Sequence, residues 1–104
     1  MNDLVARLST GTHPVVVEGS LGSFQQACDR GYAHVRFTGT QGGTELGFRL
    51  IPGLSDLSKG HWNEVSGHIK LVGELSLNYA RVRCHADIDL ATLTGEGRLE
   101  PLET

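Results

Sequence analysis

His85, Asp87 and Asp89 share one face of the run 79–90, Tyr-Ala-Arg-Val-Arg-Cys-His-Ala-Asp-Ile-Asp-Leu. An imidazole beside a carboxylate can accept and return a proton near neutral pH. The carboxylate raises the basicity of the ring and fixes its tautomer. Residues i and i+2 of a strand stand about 7 Å apart at Cα, so contact between them depends on side-chain reach. His85 and Asp87 are therefore the catalytic candidates if the chain is an enzyme. Arg81 and Arg83 precede them on the same face and suit a carboxylate or phosphate. Isomerase or lyase chemistry on a small acid would fit such a set.

Neighbouring segments add His34, Arg36, Arg49, His68, Lys70, Glu45 and Glu74 to this polar set. Together with Arg81, Arg83 and His85 they hold five of the nine Lys and Arg and three of the five His. The candidate ligand-binding residues are His34, Arg36, Arg49, His68, Arg81 and Arg83. If the sheet curls with this face inside, they line a pocket for an anionic small molecule. If it curls the other way, the same residues make a solvated face with cross-strand ion pairs, which needs no function.

Other chemistries find less support. His34, His68, His85 and Asp87, with His61, could hold a divalent ion only if neighbouring strands brought them together. There is no Cys-x-x-Cys pair and no His-Glu-x-x-His, so no metal site and no cofactor are expected. Ser66, Ser76 and Tyr79 are conceivable nucleophiles, but no Gly-x-Ser-x-Gly elbow is present. The stretch 38–47, Thr-Gly-Thr-Gln-Gly-Gly-Thr-Glu-Leu-Gly, lacks the lysine of a phosphate loop, and a strand rather than a helix follows it. It reads as a hairpin loop whose glycines supply positive φ. Trp62 beside His61 is a candidate partner contact, or it folds back to cap the core.

The elements that must position these residues follow from periodicity. Residues 79–90 alternate strictly, with Ala80, Val82, Cys84, Ala86, Ile88 and Leu90 apolar, as in a strand with one face in a core. Residues 67–77 alternate likewise, except at Val72, so 67–90 forms a long central hairpin turning at Asn78-Tyr79. A bulge near Gly73 would relieve its length. Residues 32–38 and 44–50 form a second hairpin across the glycine loop. Val15, Val16 and Val17 follow Pro14 as a β-branched strand.

Leu4, Val5 and Leu8 share a helical face that Asn2 or Asp3 could cap, although an edge strand is also possible. Gly19 to Gly22 reads as a turn. Ser23 and Gln26 match a capping box for a helix over 23–30, closed by Gly31. Residues 51–63 read as a loop. Gly95 and Gly97 read as a break, after which 98–102 adds a short edge strand and 100–104 frays.

The expected fold is therefore mainly β: an antiparallel sheet of five or six strands, curled or closed into a small barrel, with one short helix near 23–30. At 104 residues the chain is a single domain with a thin core. Fourteen glycines match many tight turns. A net charge of -3 gives no reason to expect nucleic acid or an anionic membrane as partner. No apolar run approaches a membrane span and the N-terminus does not resemble a signal peptide, so a cytoplasmic protein is expected. Cys28 and Cys84 then read as small buried hydrophobes.

Three functions stay open. The first is a small non-enzymatic binding or accessory protein, acting as a homo-oligomer or on a protein partner. The second is a ligand- or metal-binding barrel enzyme using the polar face. The third is an inhibitor or immunity-type protein whose acidic surface blocks a basic one.

Overall fold

In the computed structural model six antiparallel strands close into a barrel in the order β1-β2-β3-β4-β5-β6, with β6 returning to β1. The structure describes residues 3–40, 42–77 and 79–102. The strands are β1 (His13–Val16), β2 (Tyr32–Phe37), β3 (Thr44–Leu50), β4 (His68–Leu77), β5 (Ala80–Asp89) and β6 (Thr94–Pro101). Two helices, α1 (Asp3–Leu8) and α2 (Leu21–Asp29), precede β1 and β2. Every predicted alternating segment is a strand, because side-chain direction along a strand has a period of two whatever its partners.

The sheet curls with its apolar face inside. Val15, Val35, Phe37, Leu46, Phe48, Ile69, Leu71, Val82, Cys84, Ile88 and Leu99 fill the interior. α1 adds Val5 and Leu8, and α2 adds Phe24 and Cys28. Burial pushes both thiols, Cys28 and Cys84, up to about 12, with Asp29 adding to the rise at Cys28. Both cysteines are free and act as core filler.

The helix boundaries differ from expectation. α2 begins at Leu21, inside the expected 19–22 turn, and its N-cap is Ser20 rather than Ser23. Ser20 Oγ accepts from the Ser23 backbone N–H at 3.1 Å. Two serines three apart can each be read as a cap, and the earlier one captures a first-turn donor. Gly31 ends the helix at φ +77°, as a C-terminal glycine does. The 4–8 segment is helical, not an edge strand. Its proposed cap, Asn2 or the Asp3 side chain, lies outside the described residues, as do Asn78 of the hairpin turn and 103–104 of the tail.

The C-terminal segment departs most from its reading. β6 runs unbroken through Gly95 and Gly97 and is an internal strand between β5 and β1. Glu100 and Pro101 pair with Arg83 and Val82, so they are not frayed. The two glycines are spacers rather than breakers. A Cβ at Gly97 would stand 3.0 Å from Val15 Cγ1 and 3.2 Å from Phe37 Cζ, inside the core.

β4 and β5 pair continuously from His68↔Asp89 to Leu77↔Ala80, with no bulge at Gly73. The irregularity lies on the other edge of β4. Among the described residues β3 pairs with β4 only at Arg49↔Glu74 and Leu50↔Gly73. The chain then leaves the ladder and returns at Asp56↔Lys70. Ser55 fills the gap. Its Oγ accepts from the Val72 N–H at 2.9 Å and donates to the Val72 carbonyl at 2.9 Å. This loop also covers Val72, which explains why an apolar residue breaks the outward polar row. Ser55→Ala removes both bonds from a half-buried seam, and we expect a loss of about 1–3 kcal/mol in urea denaturation.

Candidate functional site

The polar row lies on the outside of the barrel. The ladder places Lys70, Asp87 and Glu96 side by side on β4, β5 and β6. The next row holds Val72, His85 and Arg98, and the next Glu74, Arg83 and Glu100. The proposed ligand residues are thereby divided. His34, Arg36 and Arg49 lie on β2 and β3; His68, Arg81 and Arg83 lie on β4 and β5. β2 and β5 are three strands apart in either direction, so His34 and His85 stand on opposite sides of the barrel. Among the described residues no group of three or more His, Cys, Asp or Glu could hold a metal ion.

Arg36, His68, Arg81, Arg83 and His85 are engaged by carboxylates. Glu74 pairs with Arg81 at 3.2 Å and Arg83 at 3.1 Å. Arg36 donates to Glu18 at 2.6 Å and to the Gly42 carbonyl at 3.0 Å. The Glu18 carboxylate holds Arg36 still more firmly protonated. Arg83 Nε is the one buried side-chain N or O without a hydrogen-bond partner among the described residues. Gly42 and Gly43 take φ of +74° and +77°, so the glycine stretch is a hairpin loop.

The carboxylate beside His85 is Glu100, not Asp87. His85 Nε2–H donates to Glu100 Oε1 at 3.0 Å. That hydrogen bond holds the Glu100 carboxyl below its usual range, with Arg83 and Arg98 assisting. Asp87 instead faces His68, whose Nδ1 lies 3.5 Å away, and Asp89 lies 4.0 Å from His68 Nε2. Glu100 was missed because its segment read as a tail, and no local signal records its register against β5.

The sign of the Glu100 effect is fixed by its depressed folded value. Its contribution to stability is complete above the ordinary glutamate range and is lost as pH falls through the lowered value. We therefore expect wild type to exceed Glu100→Gln in urea midpoint near pH 7, with the gap closing in acid.

His85 and Asp87 do line a common open groove of about 310 Å³, with Thr12, Lys70, Ala86, Glu96, Gly97 and Arg98. A second groove, of about 330 Å³, runs along Trp62 between α2 and a single 3-10 turn at Trp62–Glu64. Trp62 is half-buried against the core, and its ring lies 5.7 Å from Phe24. The described residues contain no helix long and apolar enough to cross a membrane. No protein-family model matches the chain, and no curated protein matches it.

Proposed function

We propose that this chain is a small cytoplasmic, non-enzymatic accessory protein that works by assembling with itself or with a protein partner. The observation that carries this reading is the unfinished seam between β3 and β4. β3 extends back to Thr44 and β4 forward to Leu77, yet their ladder holds only two pairs. Among the described residues, 44–48 and 75–77 therefore have a paired strand on one side only. A strand edge of this kind is a template for another strand.

Apolar groups flank the open edge. Leu75, Leu77 and Ala80 are only half-buried although they point inward. Tyr79, at the tip of the hairpin, is fully exposed and takes φ +69°, an uncommon conformation for a residue with a Cβ. A second copy is the simplest occupant. The segment 75–77, Leu-Ser-Leu, reads the same in both directions. Antiparallel pairing about Ser76 sets each leucine opposite a leucine, as a two-fold interface requires. The filled barrel and the ion pairs on its outer face add to this reading, since they leave surface available for contacts.

Light scattering coupled to size exclusion, over a range of concentrations, tests it. A dimer that Ser76→Pro converts to monomer, by deleting an edge donor, supports the reading. A wild-type monomer that carries no partner when purified from its host rejects it.

A further inference from the structure

Across the barrel exterior, opposite charges sit together: Glu74 with Arg81 and Arg83, Glu100 with His85, Glu18 with Arg36. The groove over β5 and β6 breaks this rule. There the ladder sets Asp87 directly opposite Glu96, and His85 directly opposite Arg98. Acid faces acid in one row; in the next, Arg98 faces His85, which is already bonded to Glu100. Like charges in directly opposed positions are destabilising, so folding alone does not call for this arrangement. Asp87 is answered on its β4 side by His68 at 3.5 Å and by Lys70 opposite it, which leaves Glu96 as the carboxylate of the pair without a close cation. Among the described residues the Glu96 and Arg98 side chains take no hydrogen bond or ion pair, nor does the Lys70 ammonium, although Arg98 acts on Glu100 at longer range.

We propose that this groove binds a small zwitterion, a molecule carrying one ammonium and one carboxylate. The ammonium lies between Asp87 and Glu96, where it relieves their repulsion. The carboxylate lies on the Arg98 guanidinium, which can take two oxygens at once. Lys70 and His68 border Asp87 on its far side, so Glu96 supplies most of the attraction for the cation. Thr12 lines the same groove and offers a hydroxyl. Successive outward positions on a strand lie about 7 Å apart, which sets the separation of the acidic and basic rows. An ω-amino acid spans a comparable distance more closely than an α-amino acid does. The volume of about 310 Å³ accommodates such a molecule. This site is separate from the open β3–β4 edge and does not depend on self-assembly.

The test is an amide NMR titration of the intact protein with γ-aminobutyrate, with butyrate and butylammonium as single-charge controls. The expected result is saturating shifts at the Ala86 and Gly97 amides for the zwitterion. Each control should bind about ten-fold more weakly or worse, the loss that follows from deleting one charge-assisted contact. Glu96→Gln and Arg98→Gln are surface changes that leave the spectrum folded, and each should weaken binding by a similar factor. Absence of saturation overturns the proposal. So does equal binding of the controls, or unchanged binding by both variants.

Discussion

Phe37→Ala should lower the free energy of unfolding by about 3–5 kcal/mol, the range for truncating a buried aromatic ring. Phe37 is fully buried and heads the large side chains of the core. It lies on β2 opposite Val15 of β1 and Thr44 of β3. Its ring stands 6.5 Å from that of His13 and reaches the space above Gly97. Deleting it removes apolar burial and leaves a void that a closed barrel cannot collapse around. Domains of this size are stable by about 5–15 kcal/mol, so the variant should be marginal. Urea denaturation followed by Trp62 fluorescence gives the number. Phe37→Leu, which keeps most of the volume, should cost distinctly less. Gly97→Ala should harm wild type more than it harms Phe37→Ala, because the added methyl then enters the void. Additive losses, or a cost below about 1 kcal/mol for Phe37→Ala, would contradict this account of the core.

Gly95→Ala should be nearly as severe, at about 3 kcal/mol, the upper part of the range for overpacking. The new Cβ would run into the backbone carbonyl oxygen of Asp87 on β5. It would also lie 2.8 Å from the Asp87 carbonyl carbon and 3.1 Å from Ile88 Cα. A side chain in the way could rotate aside, but a strand backbone held in its ladder cannot. β5 and β6 would have to part, and Gly95 pairs with Val15 on its other side as well. Amide exchange should show lost protection along β5 and β6, with the thermal midpoint falling by roughly 4–8 °C per kcal/mol. Gly22→Ala is the matched control. Its Cβ would meet only Ser20 Oγ at 4.0 Å, and alanine favours the helix there. That variant should be neutral or slightly more stable. Equal midpoints for Gly95→Ala and Gly22→Ala would show that the two strands have room to spare.

Both substitutions touch the β1–β6 closure, the part of the fold hardest to read from the chain. The runs 32–38, 44–50, 67–77 and 79–90 announced their strands because alternation is a local property. The same locality made Gly31, Gly42 and Gly43 legible, since a glycine at a turn needs only its own backbone freedom. Gly95 and Gly97 misled for the converse reason. Their role is to admit the Asp87 carbonyl, Val15 and Phe37, and none of these is near in sequence. Val72 looked like an error in the pattern until the loop carrying Ser55 was seen to cover it. The helix start shifted from Ser23 to Ser20 because two serines competed for one cap.

The candidate site divides along the same line. The chain by itself determined that Arg81, Arg83, His85, Asp87 and Asp89 share one face, because side chains alternate along a strand. Only the tertiary structure decided that this face is the outside of a closed barrel, because the direction of curl depends on which face buries more apolar surface. It also decided that Glu100 rather than Asp87 bonds His85, and that Glu96 and Arg98 complete the groove. Those pairings are matters of strand register, which links residues distant in the chain and leaves no mark in local sequence.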